Sequence, residues 1–170
     1  KWVDHQLSSP AKKDVTFSPV NLKDILKPEY IIIMDTDSKD AALLTMLDTL
    51  DNAGAIEDKN AVTEGIFQRE KLMSTGIGLG IGIPHVRMDG IEQLLMAVGV
   101  STIDIADYES LDNKPVRLLF MILAGKDQHS QHIKTMAAIA SRLKNPVLRE
   151  MLIQSNDVDT IYKLLTEGSY

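Results

Sequence analysis

The stretch Gly76-Ile77-Gly78-Leu79-Gly80-Ile81-Gly82-Ile83-Pro84-His85-Val86-Arg87 alternates glycine with an aliphatic residue and then runs into a proline and a histidine. Side chains of a strand alternate between its two faces. The spacing therefore predicts one strand with Ile77, Leu79, Ile81 and Ile83 on one face and Gly76, Gly78, Gly80 and Gly82 leaving the other face bare. Glycines inside a strand weaken it and mark a bulge or a close backbone approach, so the bare face is expected to admit a partner or a phosphate oxygen. Pro84 holds Ile83 extended and cannot donate to a sheet ladder. Pairing is expected to stop there, leaving His85 at the strand's end. The spacing GxGxGxG contains neither GxGxxG nor GxxxxGK[ST], so no nucleotide loop is read. On these residues alone, a buried strand followed by an incidental histidine is the simpler reading.

The neighbouring segments supply the frame. Before the glycine stretch, Asn21–Leu26 reads as a short helical turn stopped by Pro28, and Tyr30–Met34 as a first strand. Asp37 or Ser38 can cap a helix whose Leu43, Met46, Leu47 and Leu50 follow helical periodicity and which Gly54 closes. A second helix over Asn60–Leu72 buries Val62, Ile66 and Phe67 and carries Arg69 near its end, where a solvated cation also suits the helix dipole. After the glycine stretch, Leu94–Ser101 and Val116–Leu123 read as strands. The loop between them holds Asp104, Asp107, Glu109 and Asp112, without the order of a calcium loop, and is read as solvated. Gly125-Lys126-Asp127-Gln128-His129-Ser130-Gln131-His132 opens a helix with Ile133, Met136, Ala137, Ala140 and Leu143 as its buried face. His132 sits on the first turn, where free N–H groups and the positive dipole end favour an anion; the alternative is a histidine filling a cap position. Two short helices, around Val147–Gln154 and from Asp157 through Leu165, finish the chain.

Composition bounds the function. With 170 residues and 44% hydrophobic content the chain can bury one sizeable core. No apolar run is long enough for a membrane span. A net charge of -6 with dispersed basic residues argues against a nucleic-acid surface. The absence of cysteine excludes disulfides, thiolate zinc sites and thiol nucleophiles. Residues 1–20, polar and interrupted by Pro10 and Pro19, read as an arm or linker in which Trp2 either docks on the domain or serves a neighbouring segment and His5 is solvated. Residues 21–170 form the domain. The start at Lys1 suggests a piece of something longer, and no signal peptide is visible.

Together, Arg69-Glu70, Ser74-Thr75-Gly76-Ile77-Gly78, Gly80-Ile81-Gly82-Ile83-Pro84-His85 and Gln131-His132-Ile133 resemble, in order and spacing, the fructose/mannitol-type enzyme IIA domain of the bacterial phosphoenolpyruvate:sugar phosphotransferase system, a type that includes nitrogen-regulatory IIA-like proteins. The similarity runs from about residue 21 to the end and includes Leu111-Asp112-Asn113-Lys114-Pro115-Val116. It implies an α/β fold, a three-layer sandwich in which a mixed β-sheet is flanked by helices on both faces. It also implies a cytoplasmic phosphoryl carrier: His85 accepts phosphate from HPr or a paralogue, His132 stabilises the phosphorylated state and Arg69 contacts the phosphate. No cofactor or metal is implied. Gly82 stands where the family commonly has alanine, and Val86 where a small residue usually follows the histidine. Enzyme IIB, whose acceptor is a cysteine, is not part of this chain, so the acceptor would be a separate protein or there is none.

Three function classes follow. The first is a sugar-uptake carrier that passes phosphate to an enzyme IIB. The second is a regulatory IIA-like domain whose phosphorylation state controls a target protein, and which is compatible with tethering to a membrane transporter. The third is a zinc or hydrolytic site using His85, His129 and His132, for which no carboxylate stands at a known ligand spacing. A carrier also needs apolar surface around its histidine, for which Ile83, Val86 and Met88 are the nearest candidates, Ile83 reading first as core.

Overall fold

The computed structural model describes residues 20–167. The expected arm over 1–19, with Trp2 and His5, lies outside the described residues. The strands are β1 (Ile31–Met34), β2 (Gly76–Gly78), β3 (Ile81–Gly82), β4 (His85–Arg87), β5 (Leu95–Ile105) and β6 (Val116–Ala124). The helices are α1 (Lys39–Asn52), α2 (Lys59–Leu72), α3 (His129–Arg142), α4 (Pro146–Gln154) and α5 (Val158–Thr166). Short 3₁₀ turns at Leu22–Asp24 and Pro28–Tyr30 lead into β1.

The sheet is mixed, in the order β1-β5-β6-β3-β2, with β4 also on β6. β5 and β6 pair antiparallel, and β1 joins β5 in parallel. β6 is apolar at nearly every position because both of its faces are covered. Leu118, Phe120 and Ile122 face one core cluster with Ile139 of α3, Leu148 and Leu152 of α4 and Ile161 and Leu165 of α5. Leu119, Met121 and Leu123 face the other, with Leu43, Met46, Leu47 and Leu50 of α1 and Val62 and Ile66 of α2. Each such side chain, fully buried, contributes roughly 1.5–3 kcal/mol. Two cores on one sheet give the expected three-layer arrangement.

The helix ends follow their cap residues. Ser38, one of the two candidates, accepts the N–H of Ala41 and starts α1. Asp58 does the same for α2 through Ala61, and Asp157 for α5 through Thr160. Asn145 caps α4 ahead of Pro146, whose missing N–H costs nothing in the first turn.

The glycine stretch differs from the expected single strand. β2 turns back on β3 as an antiparallel pair, through Gly78, Leu79 and Gly80, all with positive φ. Glycine tolerates that backbone at two of the three positions. The turn is braced from outside: Ser110 Oγ accepts the N–H of Gly78 at 2.9 Å and Asp112 Oδ2 that of Leu79 at 2.9 Å. Asp107 likewise accepts the N–H of Lys39 at 2.7 Å. The loop carboxylates are therefore working acceptors as well as solvated groups. Because of the turn, Ile77 and Leu79 are exposed, while Ile81 and Ile83 are core.

Pairing also does not end at Pro84. β3 and β4 lie in succession along the same edge of β6, both parallel to it, with Ile81 opposite Leu118 and His85 opposite Ile122. Pro84 lacks a donor, but its carbonyl accepts the N–H of Ile122 at 3.0 Å, so the ladder continues across it.

Candidate functional site

His85 opens β4, and its position is set by the ladder on both sides of Pro84. Its Nδ1 lies 2.8 Å from the carbonyl oxygen of Ile83. In the neutral ring Nδ1–H donates to that carbonyl, and Nε2 keeps its lone pair. Burial lowers the pKa of His85 below the usual imidazole value. The bond to Ile83 opposes that shift, and the charge of Arg69 adds to it. The ring is therefore neutral near pH 7.

His132 meets it from the first turn of α3. The two ring centroids are 5.1 Å apart at an interplanar angle of 84°. The buried face of α3 is His132, Thr135, Ile139 and Leu143, rotated from the apolar face expected from sequence. His132 is thus 6% exposed, whereas Ile133, expected inside, is 52% exposed. The expected face counted apolar residues alone, whereas the face that packs inward places His132 against His85. His132 Nδ1 is buried without a hydrogen-bond partner. Burial first, then the nearby His85, Arg87 and His129, push its pKa down to about 4.

Arg69 arrives from the last turn of α2, where its Nη1 donates to the carbonyl of Met73 at 2.9 Å. It lines one shallow cleft with His85, His132, Arg87, Ile133 and Met136. All three residues singled out from the sequence therefore share one cleft. The Gln128 side chain before α3 makes no capping bond to the helix; its Oε1 accepts the N–H of Gly125 instead. The free N–H groups of the first turn add positive potential to a site that already holds two guanidinium groups.

Of the expected apolar ring, Ile83 is 2% exposed and belongs to the core. Val86 and Met88 are half-buried in a groove against α2 with Gly65 and Leu72. Ile133 is the exposed apolar neighbour that sequence reasoning missed. Among the described residues no group of three or more His, Cys, Asp or Glu is placed to hold a metal ion, and no helix is long and apolar enough to cross a membrane. His129, part of the zinc alternative, is exposed.

The depressed value of His132 has a testable sign. The unfolded chain takes up a proton below about pH 6.5 while the folded ring stays neutral to about pH 4. The stability tied to the neutral ring is complete above the upper value and is lost progressively as pH falls between the two. His132→Gln is expected to flatten this acid limb, measured as a smaller drop in the urea midpoint between pH 7 and pH 4.5 than in the parent.

Residues 24–168 match the family described as "Phosphoenolpyruvate-dependent sugar phosphotransferase system, EIIA 2". The chain is 30% identical over 152 residues to the phosphotransferase-system fructose-specific EIIA component of Haloferax volcanii, covering 89% of this chain and 94% of that protein. It is 33% identical over 149 residues to a nitrogen regulatory protein of Bradyrhizobium diazoefficiens, covering 85% and 94%. The crystal structure of nitrogen regulatory protein IIA-Ntr from Neisseria meningitidis superposes with a TM-score of 0.77 at 28% identity, over 84% of this chain and 97% of that one.

Proposed function

This chain belongs to the EIIA 2 family of the phosphoenolpyruvate-dependent sugar phosphotransferase system, and we propose that it carries a phosphoryl group on Nε2 of His85 between two protein partners. The observation that supports this most directly is the 2.8 Å contact of Nδ1 with the carbonyl of Ile83. It leaves Nε2 as the nitrogen with a lone pair, on a ring that burial keeps neutral.

The reaction balances without a cofactor. The Nε2 lone pair forms an N–P bond as the N–P bond of a phosphorylated HPr-type donor breaks, and the donor's imidazole leaves with the electron pair. Nδ1 of His85 keeps its proton throughout, and the Ile83 carbonyl stabilises the positive charge that the phosphorylated ring develops. Phosphoryl transfer asks for alignment and charge stabilisation more than for covalent chemistry. Arg69, the first turn of α3 and a neutral His132 supply these for the phosphoryl oxygens. Transfer to an acceptor runs the same step in reverse.

Similarity to a fructose-specific EIIA component supports a sugar-uptake role with a separate enzyme IIB as the acceptor. Similarity to nitrogen regulatory proteins supports a second reading, in which the phosphorylated and free forms bind a regulated target differently. Both use the same chemistry at His85. In either case Ile133, Met136 and Val86, beside the histidine, are the apolar surface a protein partner would cover.

The test is incubation with phosphoenolpyruvate, enzyme I and HPr, which should give an acid-labile phosphoprotein; a chain that takes no label overturns the reading. Within the same assay Arg69→Ala and His132→Ala are expected to slow labelling by roughly a hundredfold each, as loss of one positioned donor does. Circular dichroism should be unchanged. Parental rates in both would remove Arg69 and His132 from the site.

A further inference from the structure

Glu70 is a buried carboxylate that the reaction at His85 leaves unexplained. It follows Val62 and Ile66 at four-residue intervals on the inward face of α2, so the helix carries it into the apolar layer. Its Oε2 lies 2.8 Å from Nζ of Lys39, and Lys39 in turn stands 4.5 Å over the ring of Tyr108. A buried ion pair often returns little net stability after its desolvation, so stability alone does not account for this one.

The hydrogen bonds leaving Glu70 lead to the histidine. Thr75 donates its N–H to Oε2 at 3.3 Å and its hydroxyl to Oε1. Because that hydroxyl proton is committed to the carboxylate, the Tyr108 hydroxyl, 2.7 Å away, donates to Thr75 Oγ1. The carbonyl of Thr75 accepts the N–H of Ile83 at 3.0 Å, and the carbonyl of Ile83 accepts Nδ1–H of His85 at 2.8 Å. A continuous path of side-chain and backbone bonds thus connects the Lys39–Glu70 pair to one nitrogen of the reacting ring.

We infer that the Lys39–Glu70 pair, acting through Thr75 and Ile83, is a positioning element that fixes which ring nitrogen of His85 holds the proton and which one accepts the phosphoryl group. The second half of this statement rests on the carrier reading; the first half stands without it. Lys39, Glu70 and Thr75 touch no reacting atom.

The test uses the whole chain labelled with ¹⁵N-histidine, with ring-nitrogen correlation spectra recorded near neutral pH before and after phosphorylation, and His85 assigned from its loss in His85→Gln. In the parent, His85 should show Nδ1–H with an unprotonated Nε2, and the phosphoryl group on Nε2. Glu70→Gln should give a mixture of the two tautomers and slow labelling by roughly ten- to a hundredfold, the scale expected from a misplaced reacting group. Because this variant leaves the partly buried Lys39 without its counter-charge and can fail to fold, Thr75→Val is the second variant, with the same expected direction. Thr75→Ser, which keeps the hydroxyl, should restore the parental ring pattern. A folded Glu70→Gln or Thr75→Val protein with the parental His85 pattern and labelling rate overturns the inference. A parent that accepts no phosphoryl group overturns the carrier reading instead, and the ring pattern of the unphosphorylated proteins then decides the positioning role.

Discussion

His85→Ala is expected to abolish acid-labile labelling by phosphorylated HPr, a loss of at least about a thousandfold, because it removes the nucleophile itself. His129 and His132 also line the cleft, but neither ring is seated by the sheet ladder as His85 is. The Nδ1 of His132 is enclosed, and the charged groups of the cleft, Arg69 and Arg87, are not nucleophiles at neutral pH. The substitution should leave the fold intact, since the bonds that hold this segment are made by backbone: Ile83 N–H to Thr75, Ile122 N–H to Pro84 and Met88 N–H to Ala124. Labelling of His85→Ala at the parental rate would place the phosphoryl group elsewhere. Mass spectrometry of the phosphoprotein under alkaline conditions would then locate it.

Gly76→Ala should damage folding more than any other single methyl addition in the glycine stretch. A Cβ at position 76 would lie 2.2 Å from the carbonyl oxygen of Glu109 and 2.8 Å from Cα of Ser110. Those are backbone atoms, and they cannot swing aside as a side chain would. They are also fixed, because Gly76 bridges to Ser110 and accepts the N–H of Leu111 at 3.2 Å. A destabilisation of about 3 kcal/mol or more is expected, at the upper end for overpacking. Urea unfolding should show it as a lower midpoint, and a midpoint within error of the parent would mean that the Glu109–Ser110 loop is free to move. Gly54→Ala is the contrast: nothing lies within 4 Å of the added methyl there, and its cost is the strain of positive φ alone.

That crowding also shows where the reading of the glycine stretch departs from the fold. A bare face was expected to receive a partner or a phosphate oxygen, and at Gly76 it receives the chain's own loop. At Gly82 it receives Leu119 and Tyr108. Alternation of glycine and aliphatic residues fits an extended strand and a tight hairpin equally well, because the positive φ of Gly78, Leu79 and Gly80 separates them, and side-chain periodicity carries no information on that angle. The helices were more legible. Ser38 and Asp157 announce their helices by accepting a backbone N–H three residues on, a purely local interaction, and Asp58 caps its helix in the same way without having been read as a cap. The cleft was legible as residue types, since proline fixes the geometry before His85 and a helix start follows at His129. The proximity of Arg69, His85 and His132 followed only from the family resemblance and not from spacing, because it depends on which edge of β6 the strands choose. Glu70 had a signal that went unused: its interval from Val62 and Ile66 places it on the inward face, where a carboxylate must find a partner.

The order in which the chain is made matters for when it can work. β4 finds its place on β6, with His85 opposite Ile122, so the acceptor histidine is translated well before the strand that seats it. His132, which closes the cleft, is later still. A nascent chain that has just exposed His85 therefore has neither the ladder nor the facing imidazole. Its sheet, joined across such separations, closes at the slower pace of mixed α/β domains rather than that of helical bundles. Competence to accept a phosphoryl group should appear abruptly, after α3 has left the ribosome, and a partner present during synthesis would meet no half-built version of the site.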